Sequence, residues 1–70
     1  MPTFAEKLRT LRKQRGLTLR QLAEILSTSS GYIADLESGR RQPSLDLARK
    51  MADFFGISVD QLARDELDLN

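Results

Sequence analysis

The 70-residue chain contains no cysteine and no histidine. Disulfides, thiolate zinc sites, histidine-dependent hydrolysis and imidazole pH switching are therefore excluded, and nothing marks an oxidising compartment. No apolar run approaches the ~20 residues that would span a bilayer, and the N-terminus carries no signal-peptide pattern. No segment keeps up a strand-like alternation or contains a hairpin turn. These absences lead us to expect a single small cytoplasmic domain that is all-α. A domain of this length buries only about 60% of its unfolded surface, so its stability must come from efficient packing of short elements.

The net charge of +1 conceals an asymmetry. Residues 1–50 hold ten Lys or Arg against five Asp or Glu, a balance of +5, whereas residues 51–70 hold Arg64 against five acids, a balance of −4. A basic body with an acidic end suits a modest nucleic-acid binder, and an ordinary charged surface explains it equally well.

The strongest local signal is Leu17–Glu37, LTLRQLAEILSTSSGYIADLE. Thr18 followed by Gln21 is a capping-box spacing, in which each side chain satisfies a backbone amide at a helix start. Leu22, Ala23, Ile25 and Leu26 then form an apolar stripe over about two turns. Ser27-Thr28-Ser29-Ser30 breaks that helix and offers a cap for the next, whose stripe is Tyr32, Ile33 and Leu36. Two short amphipathic helices joined by a tight connection match the helix-turn-helix arrangement, whose second helix can enter a DNA major groove.

The flanking segments read as further helices. Thr3 and Glu6 make a second capping-box spacing before Phe4, Leu8 and Leu11, with Lys7, Arg9, Arg12, Lys13 and Arg15 around that face and Gly16 as the stop. The late basic residues also suit the negative end of the helix dipole. Gly39 closes the third helix and opens the loop GRRQPS. Ser44 caps a fourth helix striped by Leu45, Ala48, Met51, Ala52 and Phe55 and stopped by Gly56. Ser58 and Gln61 box a fifth, which carries Val59, Leu62 and Ala63 and is expected to extend toward Leu67. The division expected is a compact five-helix domain over 1–64 and an acidic, frayed tail over 65–70.

Three motifs together carry a resemblance: LRxxRGLTxxxLA at Leu11–Ala23, SSGYIADLESGRRQPS at Ser29–Ser44, and AxxFGISVDQL at Ala52–Leu62. From Leu8 to Leu62 the chain resembles the lambda-repressor-like helix-turn-helix domains of the Xre, or Cro-cI, type. That resemblance implies a five-helix domain that binds double-stranded DNA. Such domains usually belong to transcriptional repressors or regulators that bind operators as dimers, on two-fold related half-sites. It also implies a partly buried ion pair between Arg12 and Glu37, since an arginine fork matches a carboxylate in two places.

The same resemblance sorts the DNA-facing residues. Phosphate contacts are expected from the N-termini of helices 2 and 3, at Thr18, Arg20, Gln21 and Ser29, and from Arg40 and Arg41 in the loop. Base contacts are expected from Ser30, Gly31, Ala34 and Asp35, with Tyr32 at the edge. Here the sequence departs from the pattern: specific readers usually present Arg, Lys, Gln or Asn, yet two positions are Gly or Ala. Asp35 would repel phosphates unless it accepts from a cytosine amino group, and Leu19 stands where the family often has Gln. Readout through Tyr32, water and DNA shape is one way to reconcile this.

Stand-alone members of the family pair through helices 4 and 5, so the resemblance implies a weak homodimer interface at Phe54, Val59 and Leu67, with a monomer as the alternative. Leu47 is expected on that outer side as well. The alternative to a DNA reader is a protein-interaction module, an antitoxin or adaptor, with the acidic end Asp65–Asn70 as its binding segment. An enzyme is not expected: Asp60, Asp65, Glu66 and Asp68 lie together without a base partner. No cofactor is implied, and DELDLN lacks the spacing and glycine of a calcium loop, so no metal is implied either.

Overall fold

A computed structural model describes residues 3–63. It holds five helices and, among the described residues, no strand: α1 (Phe4–Gln14), α2 (Leu19–Ile25), α3 (Ser30–Ser38), α4 (Leu45–Phe55) and α5 (Val59–Ala63). The expected tail from Asp65 to Asn70, including Leu67, lies outside the described residues.

Each helix begins where a hydroxyl satisfies a backbone amide. Thr3, Thr18, Ser29 and Ser44 accept from the amides of Glu6, Gln21, Tyr32 and Leu47. At Thr18–Gln21 and Ser58–Gln61 the glutamine side chain returns the bond to the cap's own N–H, at 2.9 and 3.1 Å. α3 and α4 end on left-handed glycines, Gly39 (φ 83°) and Gly56 (φ 71°), where the Cβ of an L-residue would crowd its own carbonyl at a cost in energy. The α2–α3 turn is tighter: Ser27 adopts φ 58°, an uncommon conformation for a residue with a Cβ.

The helices wrap a core drawn from all five. α2 and α1 pack on α3, and α5 packs on α4 and α1. Leu8, Leu22, Ile33, Leu36, Met51 and Leu62 are fully sealed from solvent. Burying a side chain of this size contributes about 1.5–3 kcal/mol against leaving it exposed, so a few such contacts carry the domain.

In detail the apolar faces differ from those expected. On α4 the expected Ala48, Met51, Ala52 and Phe55 are buried, and Leu47, one helical turn before Met51, joins them rather than facing outward. Leu45 precedes them and stays 62% exposed. On α2, Leu22 and Leu26 are one turn apart and buried, which leaves Ile25 on the solvent side at 45% exposure. Lys7, expected on the charged rim of α1, is fully buried. It sits three residues after Phe4 and four before Leu11, inside the stripe, and its Nζ donates to the carbonyl of Gln61 at 2.7 Å. A cation near a helix C-terminus meets carbonyls and dipole of the right sign, so this contact ties α1 to the last turn of α5.

One polar cluster joins α1, α3 and the loop between α1 and α2. The Arg12 fork donates to Glu37 through Nε (2.7 Å to Oε2) and Nη2 (3.0 Å to Oε1), and Nη1 donates to the carbonyl of Leu17 at 2.9 Å. Glu37 is nearly sealed, its side chain 4% exposed, and Arg9 approaches it from the rim at 3.6 Å. The bonds to Glu37 hold the Arg12 guanidinium above its ordinary pKa, against the opposing effect of burial. For a raised basic group the associated stability is fully present below the ordinary pKa and is lost only as pH climbs through the raised one. Arg12 therefore stays charged throughout the working range.

Two outcomes follow for thermal melts. Arg12→Ala, which strands the Glu37 carboxylate, lowers stability by about 3 kcal/mol, some 4–8 °C of Tm for each kcal/mol in a domain of this size. Combined with Glu37→Ala, it shows a coupling of at least about 1 kcal/mol; additive losses would mean the fork carries no stability.

Candidate nucleic-acid interface

α3 is fixed on one side and open on the other. Ile33, Leu36 and Glu37 are buried against the rest of the domain, while Ser30 and Gly31 are exposed and Tyr32, Ala34 and Asp35 are half-buried. The α1–α3 ion pair at Glu37 thus sets which face of α3 looks outward.

The expected phosphate-contacting residues of α2 gather at its start. The Thr18 hydroxyl oxygen and the Gln21 side-chain oxygen both accept in the capping box, at 3.0 and 2.9 Å, which leaves the Thr18 O–H and the Gln21 side-chain N–H₂ as donors available to a ligand. Arg20 is highly exposed and lies 3.5 Å from Glu24, an i,i+4 contact that contributes little in water. Ser29 Oγ accepts from the amide of Tyr32 at 3.1 Å. The opening amides of α2 and α3 have no intrahelical acceptors, as at any helix start.

The loop after α3 folds back onto it. The amides of Arg40 and Arg41 both donate to the Asp35 carbonyl, at 3.0 and 3.4 Å, and the hydroxyl of Ser38 donates there too at 3.1 Å. This return of the chain through left-handed Gly39 places both guanidinium groups beside the Asp35 carboxylate. Arg40 Nη1 lies 3.9 Å from Oδ1 and Arg41 Nε 3.7 Å from Oδ2. The guanidinium carbon of Arg41 also lies 5.8 Å from the centre of the Tyr32 ring, within cation–π range. A shallow depression of about 490 Å³ is lined by Thr28, Ser29, Gly31, Tyr32, Asp35 and Arg41.

Two features of this surface escaped the sequence reading. Thr28, placed in a helix break, lines the depression. The pairing of Asp35 with the loop arginines was also missed, although a helix ending in Gly39 brings positions five and six residues after Asp35 back beside it. Of the residues expected at a dimer interface, Phe54 is half-buried, edge-on to Phe55 at 5.0 Å, with Arg15 stacked 5.2 Å from its ring centre. Val59 is half-buried, and Leu67 falls outside the described residues. The outer side of α4 is therefore partly covered by the domain's own Arg15. Among the described residues, no helix is long and apolar enough to cross a membrane.

Comparison with known proteins gives a consistent result. A family model described as helix-turn-helix matches residues 8–62. Over 59 residues the chain is 44% identical to the HTH-type transcriptional regulator DdrOP3 of Deinococcus deserti, covering 84% of this chain and 46% of that protein. Over 64 residues it is 38% identical to the immunity repressor protein of Bacillus phage phi105, covering 91% of this chain and 44% of that protein. The chain thus spans a little under half the length of these two relatives. Among solved structures, the P22 c2 repressor protein in complex with a synthetic operator superimposes with a TM-score of 0.87. It covers 94% of this chain and all of that one at 18% identity, which speaks for the fold.

Gly31 gives a direct test of whether α3's open face has been kept bare. Its φ is not left-handed, and a Cβ built there meets nothing within 4 Å. In the free domain Gly31→Ala should therefore raise stability by up to about 1 kcal/mol through helix propensity, read as a higher Tm. A loss of stability would mean the glycine serves the fold itself.

Proposed function

The chain belongs to the helix-turn-helix family whose model matches residues 8–62, and from that premise we propose that it is a sequence-specific, double-stranded-DNA-binding transcriptional regulator, acting as a repressor. α3 (Ser30–Ser38) enters the major groove, where the N-terminal part of a recognition helix meets base edges. The observation that carries this reading is the asymmetry of α3: its inner face is locked by Ile33, Leu36 and Glu37, and its outer face is small, open and flanked by two arginines.

Phosphates meet the helix ends and the loop. The opening amides of α2 and α3, which follow the caps Thr18 and Ser29 and belong to Leu19 and Arg20 and to Ser30 and Gly31, present donors to an anion. Gln21 adds its side-chain N–H₂, and the weakly held Arg20 and Arg40 exchange their carboxylate partners for phosphate oxygens. Ser30, Gly31, Tyr32, Ala34 and Asp35 face the base edges. The carboxylate of Asp35, which alone would repel the DNA, is offset by Arg40 and Arg41 beside it.

The regulator binds two-fold related half-sites as a weak homodimer joined along α4 and α5. Phe54 and Val59 both keep exposed apolar area there, although the Arg15 cover over Phe54 keeps the contact small.

Selection from a random duplex pool, followed by anisotropy titrations over a salt series, tests the DNA reading. An enriched two-fold site and a steep fall of log K with log salt are expected, and Arg40→Ala should lower that slope by about 0.9, one phosphate's worth. No enrichment, with only weak salt-sensitive binding, would contradict it and favour a protein-interaction module such as an antitoxin or adaptor. For the dimer, Phe54→Glu should shift the sedimenting species from dimer to monomer. A dimer indifferent to that change places the interface elsewhere.

A further inference from the structure

A puzzle in the recognition surface is chemical. Bidentate base readout needs a fork or amide, and α3 presents Ser30, Gly31, Tyr32, Ala34 and Asp35, of which only single hydroxyls and one carboxylate bear polar atoms. The fork nearest this face is supplied from outside the helix. We propose that Arg41, in the loop after α3, is the base-reading side chain of this domain and that it reads guanine, with Asp35 and Tyr32 as the groups that position it. The inference rests on the DNA-binding reading above and reassigns Arg41 from the phosphate contact that its loop position suggests.

Three observations converge on Arg41. The backbone return at Gly39 brings its amide onto the Asp35 carbonyl, so the side chain starts beside the helix. Its Nε edge faces Asp35 Oδ2 at 3.7 Å, and its guanidinium carbon is 5.8 Å from the ring centre of Tyr32, which lies in the first turn of α3. The side chain is thereby turned back along α3 toward the end that approaches base edges. With Nε directed at the carboxylate, the two terminal nitrogens remain, and an arginine fork matches O6 and N7 of guanine. Arg41 itself lines the shallow depression, with Thr28, Ser29, Gly31, Tyr32 and Asp35, and the space over Gly31 is open, since a Cβ built there meets nothing within 4 Å.

Asp35 acquires a role that fits its charge. A carboxylate 3.7 Å from Nε narrows the orientations the side chain takes. Arg40 occupies the other oxygen, Oδ1, at 3.9 Å, and shows no ring contact among the described residues, which leaves it to the backbone of the DNA. Because the loop is anchored on the Asp35 backbone carbonyl, Asp35→Asn removes the carboxylate without removing the anchor.

The test is a base-pair substitution series on the site enriched by the wild-type protein, titrated at two salt concentrations with Arg41→Ala, Arg41→Lys, Arg40→Ala and Asp35→Asn. In the wild type, one G·C pair per half-site should be preferred by about tenfold to a hundredfold over other pairs. Arg41→Ala should abolish the preference at that position and leave the others standing. Arg41→Lys, which keeps the charge and loses the fork, should reduce it with the salt slope unchanged. Asp35→Asn should weaken the preference at the same position alone, which a merely structural role would not do. Arg40→Ala should weaken binding to every sequence alike. A uniform loss with a shallower salt slope for Arg41→Ala, or a G·C preference that survives it, overturns the proposal while the DNA-binding reading stands. A wild-type protein that enriches no site overturns both.

Discussion

The Arg12–Glu37 fork decides how the recognition surface is presented. Glu37 is one turn from Ile33 and adjacent to Leu36, so it lies on the buried side of α3 with its carboxylate almost wholly out of water. A carboxylate there is tolerable because Arg12 meets both of its oxygens, with Arg9 adding a contact from the rim. The third donor of the same side chain holds the carbonyl of Leu17, where the chain enters α2. One residue thus fixes α1, the approach to α2 and the rotation of α3 together. The two helices of the helix-turn-helix motif are oriented from behind by a polar clamp as well as by apolar packing.

On the outward side of α3 the electrostatics run the other way. Asp35 is exposed enough that its contacts with Arg40 and Arg41 are weak and exchangeable. They do little for stability, but they gather the loop cations at the edge of the open face before any ligand arrives. The inner pair is permanent and structural, whereas the outer cluster is available to a ligand. The outer cluster depends on the way α3 ends, since left-handed Gly39 turns the chain back and brings the arginines beside a carboxylate that the helix itself carries.

Much of this was legible in the sequence because short helices announce their ends. The S/T-x-x-Q spacings at Thr18 and Ser58 and the glycines at 39 and 56 are local signals with local causes, and the helices begin and stop there. The apolar faces were less legible. Leu45 and Ile25 sit at helix ends, where a stripe drawn by three- and four-residue spacing runs past the edge of the core that it faces. Lys7 was misread because its charge outweighed its position, although Phe4, Lys7 and Leu11 follow helical spacing and the carbonyl that receives it belongs to α5, far away in sequence. The candidate site was half legible: its residues were named through the family resemblance, but the contact of Asp35 with Arg41 and of Arg41 with Tyr32 depends on how a loop closes, which no spacing within one helix reveals.

On the reading proposed above, the open face of α3 and the loop beside it form the surface that meets DNA. Backbone amide chemical shifts, followed by NMR while the wild-type domain is titrated with its enriched duplex, test this most directly. The largest changes should cluster at residues 18–21, 28–35 and 40–41, with the outer side of α4 affected only where two copies meet. Changes centred on α4 and α5, with the α3 amides unmoved, would contradict it.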